Sequence, residues 1–224
     1  MPNSTIAELD QRIEARHLLT HPFYESWHRG ELSVPDIQLY AKSYFPHVRA
    51  FPQYLSQMHL VCGNLADRRI IANNLADEEA TAPTHPDLWL NFAKGLGLDR
   101  ETVLTEKAGP RMDSLIRTYM SYASSNTVEA AAALYCYEKQ VPEIATTKIV
   151  ALTAHYGVTD RDALMYFRVH QSADLEHAAE WAAILAKEKL NRSRALEIAD
   201  QVLDALWRVL DEINERRAEF RRYN

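Results

Sequence analysis

The chain has 224 residues, 47% of them hydrophobic and 25% charged, with a net charge of −6, proportions that suit one globular domain over 1–224 with a sizeable core. Acids and bases are interspersed, which excludes the basic face that nucleic acid requires, and no apolar run approaches the ~20 residues of a membrane span. The N-terminus is acidic and amphipathic rather than a signal peptide, and Cys62 and Cys136 form no CxxC pair, so a cytoplasmic setting is expected.

Six glycines and nine prolines punctuate the sequence, and the segments between them repeat at helical period. Helices are predicted over about 4–19, 22–29, 34–62, 65–81, 86–96, 99–106, 111–124, 128–156, 160–190 and 192–221. No alternating strand of useful length interrupts them, so the class is all-α, a helical bundle. Ser33 before Pro35 gives an N-cap with proline in the first turn. Thr159 with Asp162 resembles a capping box, and Gly97 and Gly157 stand where left-handed C-caps belong. Pro46, Pro52 and Pro142 fall inside predicted helices and should bend them. The ring of Pro142 presses on the carbonyl of Glu138, four residues back; the bend either re-aims the Glu138 side chain or wraps the helix around the core.

His170, Asp174 and His177 occupy i, i+4 and i+7 of the predicted helix over 160–190. On an unbroken helix they fall within an arc of roughly 60°, and two imidazoles and a carboxylate converging there chelate a divalent transition metal. Phe167 and Trp181 on the same face turn the trio toward the interior. Glu138 adds a carboxylate among Leu134, Tyr135, Val141 and Pro142; it needs a salt bridge, a proton or a metal, and beside the trio a metal is the better reading. Glu78 and His85, seven residues apart, form a third group, with Pro83 and Pro86 pointing to a helix end and a fresh start. Two divalent ions bring four positive charges; three carboxylates and a bridging hydroxide balance them. Mixed oxygen and imidazole ligands suit iron or manganese, with zinc compatible.

Lys148 lies among Ile144, Ala145, Ala151 and Leu152, where it either snorkels outward or is desolvated into a free amine. Tyr24, Tyr40, Tyr137 and Tyr166 are compatible with ordinary core packing. The histidines at 17, 21, 28, 47, 59 and 155 match no ligand spacing and are assigned structural roles.

The order Glu78-x6-His85, Glu138, His170-x3-Asp174-x2-His177 resembles the haem-oxygenase-like di-metal oxidases. Within them it is most similar to the chlamydial protein associating with death domains and its bacterial relatives that make 4-aminobenzoate. The likeness runs from HPFY near residue 21 to the 170–177 motif. It implies a haem-oxygenase-like bundle of about seven principal helices around an Fe/Fe or Fe/Mn pair, with O₂ and an external reductant as co-substrates. It also implies a self-sacrificing reaction in which Tyr24 becomes the 4-aminobenzoate ring and Lys148 gives the amino group, with Tyr40, Tyr137 and Tyr166 near the metals. The death-domain partnership does not carry over, because no surface here marks it. No sequence feature identifies an electron donor, and a homodimer stays open.

Two other readings compete. One is a di-iron oxygenase of this fold acting on an external fatty acid or amine; the other is a non-catalytic helical binding module with a structural metal. Thiaminases and pyrroloquinoline-quinone oxidases share the fold without the metals, and six matched ligands argue against both.

Overall fold

The structure, a computed structural model, describes residues 4–80, 82–187 and 190–223. Among these residues there are twelve α-helices, one 3-10 turn and no strand. In order they are α1 (Ser4–Ala15), the 3-10 turn (Leu18–Thr20), α2 (Pro22–His28), α3 (Val34–Val61), α4 (Leu65–Glu79), α5 (His85–Gly95), α6 (Arg100–Leu104) and α7 (Pro110–Ser125). There follow α8 (Thr127–Glu138), α9 (Val141–His155), α10 (Arg161–His170), α11 (Ala173–Lys187) and α12 (Arg192–Tyr223). The central α3 packs on α4, α5 and α7; α12 lies across α1, α7 and α8; α11 faces α8, and α10 rests on α5 and α9. Trp27, Trp89, Trp181, Tyr40 and Phe167 are wholly or almost wholly buried between these layers, each side chain of this size contributing on the order of 2 kcal/mol of transfer free energy. Among the described residues no helix is long and apolar enough to cross a membrane.

Several local signals act as the residue types dictate. Ser33 and Asp36 form a full capping box at the start of α3, and Pro46 and Pro52 sit inside that helix. Gly97 and Gly157 adopt left-handed φ values of +86° and +67° after their helices, a conformation that costs glycine little. The predicted helix end at Thr81 lies outside the described residues, as do residues 188–189 just before the predicted end at 190.

Four predicted features differ. The predicted helix over 4–19 stops at Ala15, and His17 caps a separate 3-10 turn by accepting from Leu19 N. The predicted helix over 128–156 is two helices, with Glu138 the last residue of α8. Pro142 therefore lies in the first turn of α9 instead of bending a longer helix, because there its missing N–H leaves nothing unsatisfied. Gln140 holds the corner, donating to Cys136 O at 2.6 Å and accepting from Leu18 N at 2.8 Å. The predicted helix over 160–190 breaks after His170: Gln171 and Ser172 form a turn, and the Ser172 hydroxyl donates to Val169 O. Each half packs on a different neighbour, α10 on α5 and α11 on α8, so tertiary contacts reward the break. Finally, Asp160 rather than Thr159 caps α10, accepting from Ala163 N at 2.9 Å, in line with the stronger capping of aspartate.

Candidate metal centre

Helix ends deliver the candidate ligands. Glu78 lies in the last turn of α4, and His85 is the first residue of α5, fixed there by a capping box between Thr84 and Asp87 with Pro86 in the first turn. Glu138 ends α8, His170 ends α10, and Asp174 sits in the first turn of α11, where the helix dipole favours a carboxylate. The six are buried, with exposures between 1% and 6%.

They meet as two sets of three. Ligand atoms of Glu78, His85 and His170 all lie within 4.8 Å of one another, and so do those of Glu138, Asp174 and His177. The trio of His170, Asp174 and His177 thus does not share one helix face; the turn at 171–172 assigns its first member to one set and the other two to the second. In the first set His85 Nδ1 is 3.0 Å from Glu78 Oε2 without aligning as a hydrogen bond, as suits two groups aimed at a common point. In the second, His177 Nδ1 is 3.5 Å from Asp174 Oδ1 and 3.6 Å from Glu138 Oε2.

The residues fit divalent cations. Glu138 Oε1 and Asp174 Oδ2 are buried with no hydrogen-bond partner, at a cost of about 1–3 kcal/mol each that a bound cation would remove. Outer partners orient the ligands as metal sites require. His170 Nδ1 donates to Tyr166 O at 2.6 Å, His177 Nε2 faces Asp77 Oδ2 at 3.3 Å, and Trp181 Nε1 donates to Glu138 Oε2 at 2.8 Å. Each leaves a nitrogen or oxygen turned toward its set.

The electrostatics follow from burial and neighbouring charge. Burial, then the charge of Asp174, pushes the Glu138 carboxyl well above its ordinary range. Burial also acts to raise Glu78, but its close contact with His85 and the charges of the three histidines outweigh that and hold it below. Burial depresses His170. His177 is raised to about 10, because Asp174, Glu138 and Asp77 together overcome its desolvation. On Glu138 and His177 a bound cation would compete with a proton.

Beside this centre lies a second arrangement. His21 caps α2 by accepting from Phe23 N and Pro22 occupies the first turn, which turns Tyr24 inward. Lys148 on α9 does not snorkel; it is 6% exposed. Its Nζ donates to Tyr40 Oη at 2.6 Å and Tyr24 Oη at 3.0 Å, and the two phenols are 2.9 Å apart. Desolvation pushes the lysine well below its ordinary range and both tyrosines well above theirs, so burial favours the uncharged form of all three groups. Tyr40 stacks on Tyr44, whose hydroxyl donates to Tyr137 at 3.3 Å.

Two small cavities flank a common wall. One is lined by Glu78, Glu138, His170 and Asp174 together with His47, Tyr137 and Tyr166; the other by Tyr24, Tyr40, Lys148 and again Tyr137, Tyr166 and His170. Their free volumes are about 10 Å³ and about 20 Å³, little more than a single small molecule the size of water needs. Sequence reasoning missed Asp77, Tyr44 and His47. His47 had been assigned a structural role, yet Tyr40, Tyr44, His47 and Phe51 recur at i, i+4, i+7 and i+11, a stripe that was available as a signal.

Fold and site together define a haem-oxygenase-like helical bundle with two buried His/carboxylate sets. Residues 7–215 match the family model described as TENA/THI-4/PQQC, and the chain belongs to that family. It is 39% identical over 210 residues to a 4-aminobenzoate synthase of Chlamydia pneumoniae, covering 92% of this chain and 93% of the relative. It is 37% identical over 226 residues to a 4-aminobenzoate synthase of Nitrosomonas europaea, covering 95% and 92%. Its fold is similar to that of a TenA homologue from Pseudomonas syringae, with a TM-score of 0.79 at 17% identity over 95% of this chain and 93% of the other.

Proposed function

We propose that this chain is a di-metal oxygenase that makes 4-aminobenzoate for folate synthesis from its own Tyr24, with Lys148 as the amino donor. The observation that carries the reading is the buried Lys148 amine held between the Tyr24 and Tyr40 hydroxyls, one wall away from two buried His/carboxylate sets that could hold metal ions. The likeness to relatives named 4-aminobenzoate synthase over more than nine-tenths of the chain supports the product. Glu78, His85 and His170 would hold one ion and Glu138, Asp174 and His177 the other, as Fe/Fe or Fe/Mn. Bound there, such ions supply the redox capacity to reduce O₂ with electrons from an external reductant.

The chain's own residues do the rest. Desolvation disfavours the charged form of the Lys148 amine. A bond from its nitrogen to the ring carbon bearing the Tyr24 hydroxyl would replace the C–O bond, the oxygen leaving as water. The Lys148 Cε–Nζ and Tyr24 Cα–Cβ bonds would be cleaved, with O₂ and the external reductant supplying the redox balance. Tyr40 accepts from Lys148 and pairs with Tyr24, fixing the amine against the ring that it would substitute. Tyr137, Tyr166 and His170 line both cavities and stand between them, and the surrounding aromatics keep both small. An oxygenase acting on an external fatty acid or amine needs space for that molecule, and neither cavity beside the site provides it.

The test is rescue of a bacterial strain that requires 4-aminobenzoate, by the native gene and by Tyr24→Phe. Rescue by the native gene alone is expected, with peptide spectra showing loss of the Tyr24 side chain after exposure to Fe(II), reductant and O₂. Product formed while Tyr24 stays intact overturns self-sacrifice.

A further inference from the structure

The mechanism above leaves His47 unused, although it is 1% exposed and lines the cavity that touches members of both ligand sets. Its Nδ1 lies 3.3 Å from Tyr54 Oη, while its Nε2 is buried with no partner. Tyr119, Tyr137 and Phe51 surround the ring at centroid distances of 5.5, 5.3 and 6.0 Å, and none of them neutralises Nε2. A buried orphan of this kind in a polar cavity points to something that occupies the cavity.

The tautomer follows from counting partners. If Nδ1–H donated to Tyr54, the phenol proton and the Nε2 lone pair would both lack partners. If Tyr54 donates to Nδ1, the proton sits on Nε2 and only that one group is unsatisfied. The second arrangement costs less, and it places the N–H on the ring nitrogen that lacks a protein partner, in a side chain that lines the space between the ligand sets. Burial drives the imidazole down to about 3, so it is neutral and offers a hydrogen bond rather than a proton.

We infer that His47 donates its Nε2–H to the diatomic oxygen species that occupies the cavity between the two ligand sets, and is therefore a catalytic residue of the O₂ reaction. The inference rests on the oxygenase reading and deepens it. A fixed donor stabilises negative charge as oxygen is reduced and needs no reorganisation at that moment. Tyr54, stacked on Tyr119 at 5.2 Å, acts as the positioning residue that sets the tautomer.

Nitric oxide is a stand-in for O₂ that starts no turnover. Anaerobic Fe(II)-loaded protein is mixed with it, and release is followed by absorbance and electron paramagnetic resonance in the native protein, His47→Phe and His47→Gln. Iron content should match across the three. His47→Phe should release nitric oxide about tenfold faster, and His47→Gln, which keeps an N–H at a similar reach, should stay near the native rate. Release from His47→Phe within twofold of native, or from His47→Gln as fast as from His47→Phe, overturns the assignment while leaving the metal reading intact. A native protein that binds no iron overturns both. Should His47→Phe not fold, Tyr54→Phe serves: roughly threefold faster release supports the tautomer argument, and an unchanged rate overturns it.

Discussion

Replacing Glu138 by glutamine should make the metal-free protein more stable and the metal-loaded protein less so. Without an ion, Glu138 is a carboxyl 1% exposed, with Oε1 unpaired and Asp174 close by. One unsatisfied buried acceptor costs about 1–3 kcal/mol, and an uncompensated buried charge costs more. Glutamine keeps an oxygen to accept from Trp181 Nε1, the bond now made at 2.8 Å, so little is lost in exchange. A gain of about 2 kcal/mol corresponds to a rise in Tm of roughly 4–8 °C for a chain of this size. With Mn(II) at a hundredfold excess over the Kd of each set, the native protein should gain about 2.7 kcal/mol from each set and the variant should lose the share of the Glu138 set, so the order of melting reverses. The assay is calorimetry in chelator and in Mn(II). Its pH dependence has a definite sign. A carboxyl raised in the folded state is no burden below its unfolded pKa and destabilises progressively as pH rises toward its folded value. The advantage of the variant should therefore fade as pH falls into the ordinary carboxylate range. A variant that melts below the native protein in chelator at pH 7 refutes the picture of Glu138 as a ligand waiting for a cation.

Three further outcomes are expected. Tyr24→Phe should abolish 4-aminobenzoate while leaving bound metal, measured by elemental analysis, at the native level, since Tyr24 lies outside both ligand sets. Lys148→Met should also abolish product. A buried lysine depressed on folding loses stability below its unfolded pKa, so native stability should rise as pH climbs toward 10, and the methionine variant should lack that slope in denaturant titrations. Asp77→Ala should weaken the set containing His177 about 10–100-fold in metal titrations, by removing the carboxylate behind His177 Nε2, and leave the Glu78 set unchanged.

How much of this was legible in the sequence depended on whether a signal was local. Helical class, the Ser33 cap and the left-handed glycines are decided by neighbouring residues, and each appears where its chemistry places it. The helix breaks at 139–140 and 171–172 were not visible, because period alone favours continuation through Tyr137-Glu138-Lys139-Gln140 and through Gln171-Ser172. What decides them is tertiary: Gln140 binding Leu18 N from 122 residues away, and α10 and α11 choosing different partners. The six candidate ligands were named, but the trio was placed on one helix face for that reason. Lys148 could have gone either way from sequence, since an apolar stripe does not say whether its edge reaches water. Asp77 and His47 were passed over because the first resembles a solvated acid and the second matched no ligand spacing.

The breaks also explain why this bundle can hold such a centre at all. Along an unbroken helix the backbone satisfies itself, and side chains at i, i+4 and i+7 diverge by their own width, which suits one ion better than two. Ending α8 at Glu138, ending α10 at His170 and beginning α5 at His85 brings side chains from three terminal turns to the same depth. The turn at 171–172 then lets one short stretch of chain serve both sets. Because Pro142 lies in the first turn of α9, soon after Glu138, Lys148 follows within two turns and returns to the opposite side of the Tyr137 and Tyr166 wall. The candidate ligand Glu138 and the Lys148 amine are thus coupled by one corner of the chain, held by Gln140. A change that loosens that corner should disturb both cavities together, whereas changes at Tyr24 or Asp77 should reach only one.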